Sequence, residues 1–153
     1  MSIWEPYLRA NLPRPTDADR IRLEALVGAA LPDQYWHLVC EHQGEALEDA
    51  GLELPGEGEI NFGVLLLASS PEAVGKANSS YCVEDCFENM QDRYPDGLFP
   101  FADDTGGNLW AFDFREDAAN PAVVFVDHEK MDEEGVTQAA DSFAAFMALA
   151  GVE

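Results

Sequence analysis

Apolar positions along the chain change their spacing several times, and each spacing predicts an element. Leu23, Leu26, Val27 and Ala30 recur at i, i+3, i+4 and i+7, the signature of one helical face. Thr16-Asp17-Ala18-Asp19 precedes them as a helix start. The hydroxyl can accept from a free backbone N–H, and the acid faces the positive end of the helix dipole. Leu31-Pro32 stops this helix and starts a second, with Pro32 at the first helical position, where no N–H is needed. Tyr35, Leu38, Val39 and His42 carry the stripe of the second helix, and Gly44 caps it. Ile60 to Ala68 predicts a strand whose run Val64-Leu65-Leu66-Leu67 is buried on both faces. Ser70-Pro71-Glu72 opens a further helix, and after a break near Asn78-Ser79-Ser80, Val83, Cys86, Phe87 and Met90 resume helical spacing. Val123 to Val126 is a short strand. Asp141-Ser142 caps a last helix carrying Phe143, Phe146, Met147 and Ala150.

The chain is organised around Phe99 to Asp117. Two apolar runs flank Asp103-Asp104-Thr105-Gly106-Gly107, a composition that reverses the chain because glycine takes positive φ without a steric penalty. Beyond the turn Trp110, Phe112 and Phe114 alternate with Leu109, Ala111 and Asp113, which places the three aromatics on one face of a strand. The expectation is a hairpin over 99–114 with its aromatic face in the core. Glu45 to Glu59, broken by Gly51, Pro55, Gly56 and Gly58, reads as an acidic loop, and Asp132 to Gly135 as a mobile one. Residues 1–15 form an arm or short helical turn laid on the domain, and 16–153 form one domain. The fold class is α+β: a mainly antiparallel sheet with helices toward both chain ends.

Composition narrows the partners. With 153 residues, 47% of them hydrophobic, the chain can bury a proper core. Eight basic residues against 30 acidic ones give a net charge of −22, which argues against nucleic acid and anionic membranes as partners and favours a basic one. Three cysteines make no disulfide framework, and the start of the chain has neither a basic n-region nor an apolar h-region. The expected compartment is a reducing cytoplasm.

Leu23-Glu24, Gly28, Leu31-Pro32-Asp33-Gln34-Tyr35, Leu38 and Gly44 appear in that order, followed by Phe99-Pro100-Phe101-Ala102-Asp103 and Gly106-Gly107-Asn108 with Phe112-Asp113. Val124 to Glu129 and Ser142-Phe143 with Phe146 complete the set. This ordered set resembles the SUKH superfamily, which includes the yeast cell-wall-assembly-regulator domain and many bacterial immunity proteins. The resemblance implies an α+β domain with a protein-binding role, often the neutralisation of a toxin, and carries no catalytic residues to transfer. Gln43 stands where the family commonly has Asn, and the insert at Glu45 to Glu59 is peculiar to this chain.

Candidate chemistry is thin. Cys82 and Cys86 stack on one helical face, but tetrahedral zinc needs four ligands, and Cys86 also fits the apolar stripe. In Asp103 to Asn108, Gly falls at the fifth position and Asn at the sixth, out of register for a calcium loop. No Walker loop, G-x-S-x-G, G-x-G-x-x-G or H-E-x-x-H occurs, so neither enzyme activity nor a metal or cofactor is expected. The remaining signal is acidic loops. Asp103, Asp104, Glu116, Asp117, Asp127, Glu129, Asp132, Glu133 and Glu134 would form a negative rim if the fold gathers them, with Tyr81 and Tyr94 (and Tyr7) as aromatic anchors. The expected function is an immunity protein that blocks a basic, nucleic-acid-targeting toxin. The alternative is a regulatory or scaffold module.

Overall fold

The computed structural model describes residues 3–8, 12–48, 50–54 and 56–152. Its strands are β1 (Ile3–Pro6), β2 (Glu45–Glu48), β3 (Gly51–Leu54), β4 (Gly58–Asn61), β5 (Leu98–Asp103), β6 (Leu109–Asp113), β7 (Ala122–Val126) and β8 (Val136–Ala140). Its α-helices are α1 (Asp17–Val27), α2 (Asp33–His42), α3 (Pro71–Val74), α4 (Val83–Met90) and α5 (Phe143–Leu149). The fold is α+β.

The predicted hairpin is β5 with β6, the first two strands of an antiparallel meander, β5-β6-β7-β8. Phe99 pairs with Phe112 and Ala102 with Trp110, and the register shift between Pro100 and Ala102 makes Phe101 a bulge. Phe99, Phe101, Trp110 and Phe112 are fully buried. Tyr35 of α2 meets Phe99, Phe101, Phe112 and Phe143 edge-on, with centroids 5.2–6.1 Å apart, and Phe146 of α5 lies 5.1 Å from Trp110. These are favourable aromatic geometries, and they lock α2 and α5 onto the inner sheet face.

Helix starts follow the sequence closely. Thr16 accepts from the Asp19 N–H at 3.2 Å while the Asp19 carboxylate accepts from the Thr16 N–H at 2.8 Å. Ser70 and Ser142 accept from the N–H groups of Ala73 and Ala145. Helix ends differ. The first helix stops at Gly28, left-handed at φ 73°, before Leu31-Pro32 is reached, and Pro32 caps α2 rather than entering it. Of the α1 stripe only Leu23 is buried, whereas Leu26 and Ala30 face solvent. Arginines fasten that helix instead: Arg20 donates to the Leu31 carbonyl and Asp33, and Arg22 to the Ala68 carbonyl and Glu84.

Two expectations are corrected. The arm contains a strand rather than a helical turn: β1 pairs antiparallel with β2, and Trp4 stacks on His42 at 4.7 Å. The stretch Glu45 to Glu59 is likewise not a loop, since it supplies β2 and β3 and the start of β4, which pairs with β3. Leu52 and Leu54 alternate into the core while Gly51 and Glu53 face out, a pattern hidden among the turn residues. A strand over residues 136–140, not foreseen, completes the meander, and Asp132–Gly135 forms a 3-10 turn.

Residues 63–67 join the two halves. The Gly63 N–H donates to the Asp103 carbonyl, and the Leu66 N–H to that of Phe101. On the other side, the Leu65 N–H donates to the Glu45 carbonyl. Val64 to Ala68 is buried throughout, as the apolar run predicts. The expected strand over Ile60 to Ala68 is corrected: β4 ends at Asn61, and beyond it Val64, Leu65 and Leu67 make only isolated bridges, because each side of the segment meets a different part of the chain. Gln43 secures the end of this segment: its carbonyl oxygen accepts from the Ala68 N–H at 2.9 Å, and its amide donates to Pro13 and Ser69. Among the described residues no helix is long and apolar enough to cross a membrane.

Candidate functional site

The outer sheet face is only half covered. Met90 and Tyr94, on and just after α4, pack over Leu98, Ala111, Val124 and Val126. Toward β8 the face opens into a concavity of about 400 Å³. Ala122, Val124 and Val136 lie at its floor, and Asp113, Glu116, Asp117, Glu133 and Asp141 stand around it. Three loops or strand ends therefore contribute carboxylates to one place.

Among the described residues, Arg115 is the one cation lining this concavity. Its guanidinium forks onto Asp113 at 2.9 and 3.0 Å and also pairs with Glu133. Burial alone would raise the Asp113 carboxyl, but the Arg115 hydrogen bonds outweigh it and hold that acid below the usual carboxylate range. The hydrogen bond to Asp113 likewise pushes the guanidinium further up. Glu116 and Asp117 are exposed and make no ion pair with Arg115. Five carboxylates against one engaged guanidinium leave a negative basin over an apolar floor. Such a surface steers and orients cations, and its carboxylates can meet Lys or Arg side chains directly.

Of the expected rim, the fold gathers Glu116, Asp117 and Glu133 and adds Asp113 and Asp141. Asp113 alternates with the core aromatics of β6, and its position opposite them on the strand was the one available signal. Asp103, Asp104, Asp127 and Glu129 lie at the other end of the strands, near the 103–109 turn. Asp132 and Glu134 are exposed on the 3-10 turn without lining the concavity.

Two expected contact residues are corrected. Asp104 is buried because it clamps the turn, accepting from the N–H groups of Gly106 and Asn108 at 2.8 Å and from the Asn108 side chain at 2.9 Å. Tyr94 is also buried, its hydroxyl donating to the Asp127 carbonyl at 2.7 Å, so it is a core pillar rather than an anchor. Asp103 is half-buried: one oxygen accepts from the Val64 N–H at 2.6 Å, and burial pushes its carboxyl up to about 6. Tyr81 is half-buried against Tyr7 with ring centroids 6.0 Å apart. The hydrogen bond with Tyr7, followed by burial, pushes its phenol up to about 12.

The thiols are free, and burial pushes Cys82 and Cys86 up to about 12. Among the described residues no three His, Cys, Asp or Glu side chains stand where they could hold a metal ion. A smaller cavity of about 230 Å³ between α4 and the hairpin is lined by Cys86, Met90, Leu109 and His128, but the His128 ring is turned to Asn108 at 2.6 Å. Compared with known proteins, residues 14–149 match the family model described as SMI1 / KNR4 family (SUKH-1). No curated protein matches the chain.

Proposed function

The chain belongs to the SMI1 / KNR4 (SUKH-1) family, and from that premise we propose that it is a non-catalytic protein-binding domain, an immunity protein that neutralises a cognate toxin by occlusion. The partner is a basic domain whose own target is nucleic acid, met in the cytoplasm. The observation that carries this reading is the basin of five carboxylates over an apolar floor on the uncovered sheet face. A cationic cleft built for a polyanion presents the complementary charge, and a protein seated there blocks it without turnover or cofactor. Net charge of −22 raises the encounter rate with such a partner by about 10- to 1000-fold at low salt and repels nucleic acid and anionic lipid.

The test is co-expression with toxins encoded beside it, using wild type and the triple variant Glu116→Gln, Asp117→Asn, Asp141→Asn. Growth rescue by wild type, weakened in the variant, supports the proposal. Failure to rescue against every neighbouring toxic product overturns it. A partner captured without effect on growth assigns the domain instead to regulation or scaffolding.

A further inference from the structure

The meander ends in an unguarded edge. β8 pairs with β7 on one side only. The Asp127 N–H donates to the Gly135 carbonyl, and alternation along the register Val126↔Val136, Phe125↔Thr137 then turns Thr137 toward β7. The main-chain groups of Val136 and Gln138 consequently point outward. The Val136 N–H folds back to the Glu133 carbonyl. That leaves the Val136 carbonyl and both main-chain groups of Gln138 as an open template among the described residues. The register shift opposite Val123/Val124 leaves only Ala139 unpaired, so the bulge does not close this part of the edge.

The two flanks of the edge differ in chemistry. On the inner side a shallow, mainly apolar groove of about 530 Å³ runs between β8 and α5, lined by Ala139, Ala140, Ala145, Ala148 and Leu149, the last 60% exposed, and it shares Gln138 and Asp141 with the basin. On the outer side Val136 and Gln138 border the acidic basin. Glu133 and Glu134 precede the strand and Asp141 follows it, whereas the strand itself carries no charge. Edges exposed to solvent are commonly blunted by lysine or proline, and this one has neither.

We propose that β8 is a docking edge for an extended segment of a basic protein, which adds as a strand beside it. The added strand alternates small apolar side chains, set into the groove against α5, with Lys or Arg side chains over the basin. Main-chain hydrogen bonds supply affinity and the alternation supplies selectivity. A second copy of this chain is disfavoured as the occupant, because two surfaces of charge −22 repel. The proposal rests on the reading of a cationic protein partner and adds the mode of its attachment.

The experiment uses the full chain and two end-capped peptides of the same composition, one alternating lysine and valine, the other with lysines and valines in blocks. Amide exchange is followed at Gln138. The alternating peptide is expected to slow it by about tenfold or more, the blocked peptide much less, and Ala148→Arg, on the exposed face of α5, to abolish the effect with the thermal midpoint unchanged. If both peptides bind equally, with salt-sensitive shifts at Glu116 and Asp117 and no protection at Gln138, the edge proposal fails while the cationic-partner reading stands. If neither binds, the edge proposal also fails. Protection that grows with protein concentration and no peptide overturns it in favour of self-pairing.

Discussion

Replacing Asp103 by Asn should stabilise the protein at neutral pH and lose that advantage near pH 4, where only the small cost of the new amide remains. Burial pushes the folded carboxyl up to about 6, against 3.8 for the free group. The folded state therefore holds this proton more tightly than the unfolded state. Between about pH 4 and 6 folding takes up a proton, so stability falls as pH rises through that window. Above pH 6 the full cost is present, and below pH 4 it is absent. A rise from 3.8 to about 6 corresponds to about 3 kcal/mol, and partial exposure of the residue reduces the usable figure to about 2. Asn keeps an oxygen for the Val64 N–H, which Asp103 now satisfies at 2.6 Å, but its amide needs a new partner. The expected net gain at pH 7 is thus about 1–2 kcal/mol, or roughly 3–6 °C in Tm. Urea unfolding of both proteins from pH 4 to 8 measures it, because all other carboxylates titrate in both and cancel in the difference. A difference that stays constant across this range would refute the linkage, as would destabilisation by Asn at pH 7.

Three further outcomes follow from the geometry. Thr16→Ala, which removes the hydroxyl half of the capping box and leaves the backbone N–H of residue 16 on Asp19, should cost about 1 kcal/mol and lower Tm by roughly 3 °C in a thermal melt. Gly63→Ala should lower the urea midpoint by the equivalent of about 3 kcal/mol. Its new methyl would stand 2.9 Å from the Asp103 carbonyl oxygen and 3.0 Å from the Asp104 carbonyl carbon, forcing the joining segment away from β5. Cys82 is fully buried with its thiol near 12, so roughly one molecule in ten thousand carries the thiolate at pH 8. A disulfide reagent at that pH should leave Cys82 unmodified until denaturant is added, and prompt labelling in the native state would contradict the packing.

Local chemistry made much of the fold legible. Thr16, Ser70 and Ser142 announce helix starts because their hydroxyls satisfy backbone donors within one turn, a relation that needs no tertiary partner. The hairpin was readable for the same reason. β8 was not: Val-Thr-Gln-Ala-Ala has no clear alternation, and it is a strand because β7 offers a ladder. Leu52 and Leu54 do alternate, but Gly51, Gly56 and Gly58 close by point to a loop until β4 is seen opposite. At the site, adjacency along the chain foretold Glu116 with Asp117. The approach of Asp113, Glu133 and Asp141 from three separate places is a tertiary fact. Asp104 and Tyr94 misled in the opposite direction, since the same polar atoms that suit an interface were satisfying backbone groups inside the fold.

The joining segment also sets a hazard for synthesis. Val64 to Ala68 is covered on one flank by residues already made, near Glu45, but its other flank waits for Phe101 and Asp103. At roughly 5–20 residues per second, the ribosome leaves this greasy stretch half dressed for several seconds after it emerges. A hydrophobe-seeking chaperone would find its handle there, on nascent chains stalled before the hairpin, and would lose it as soon as the hairpin closes.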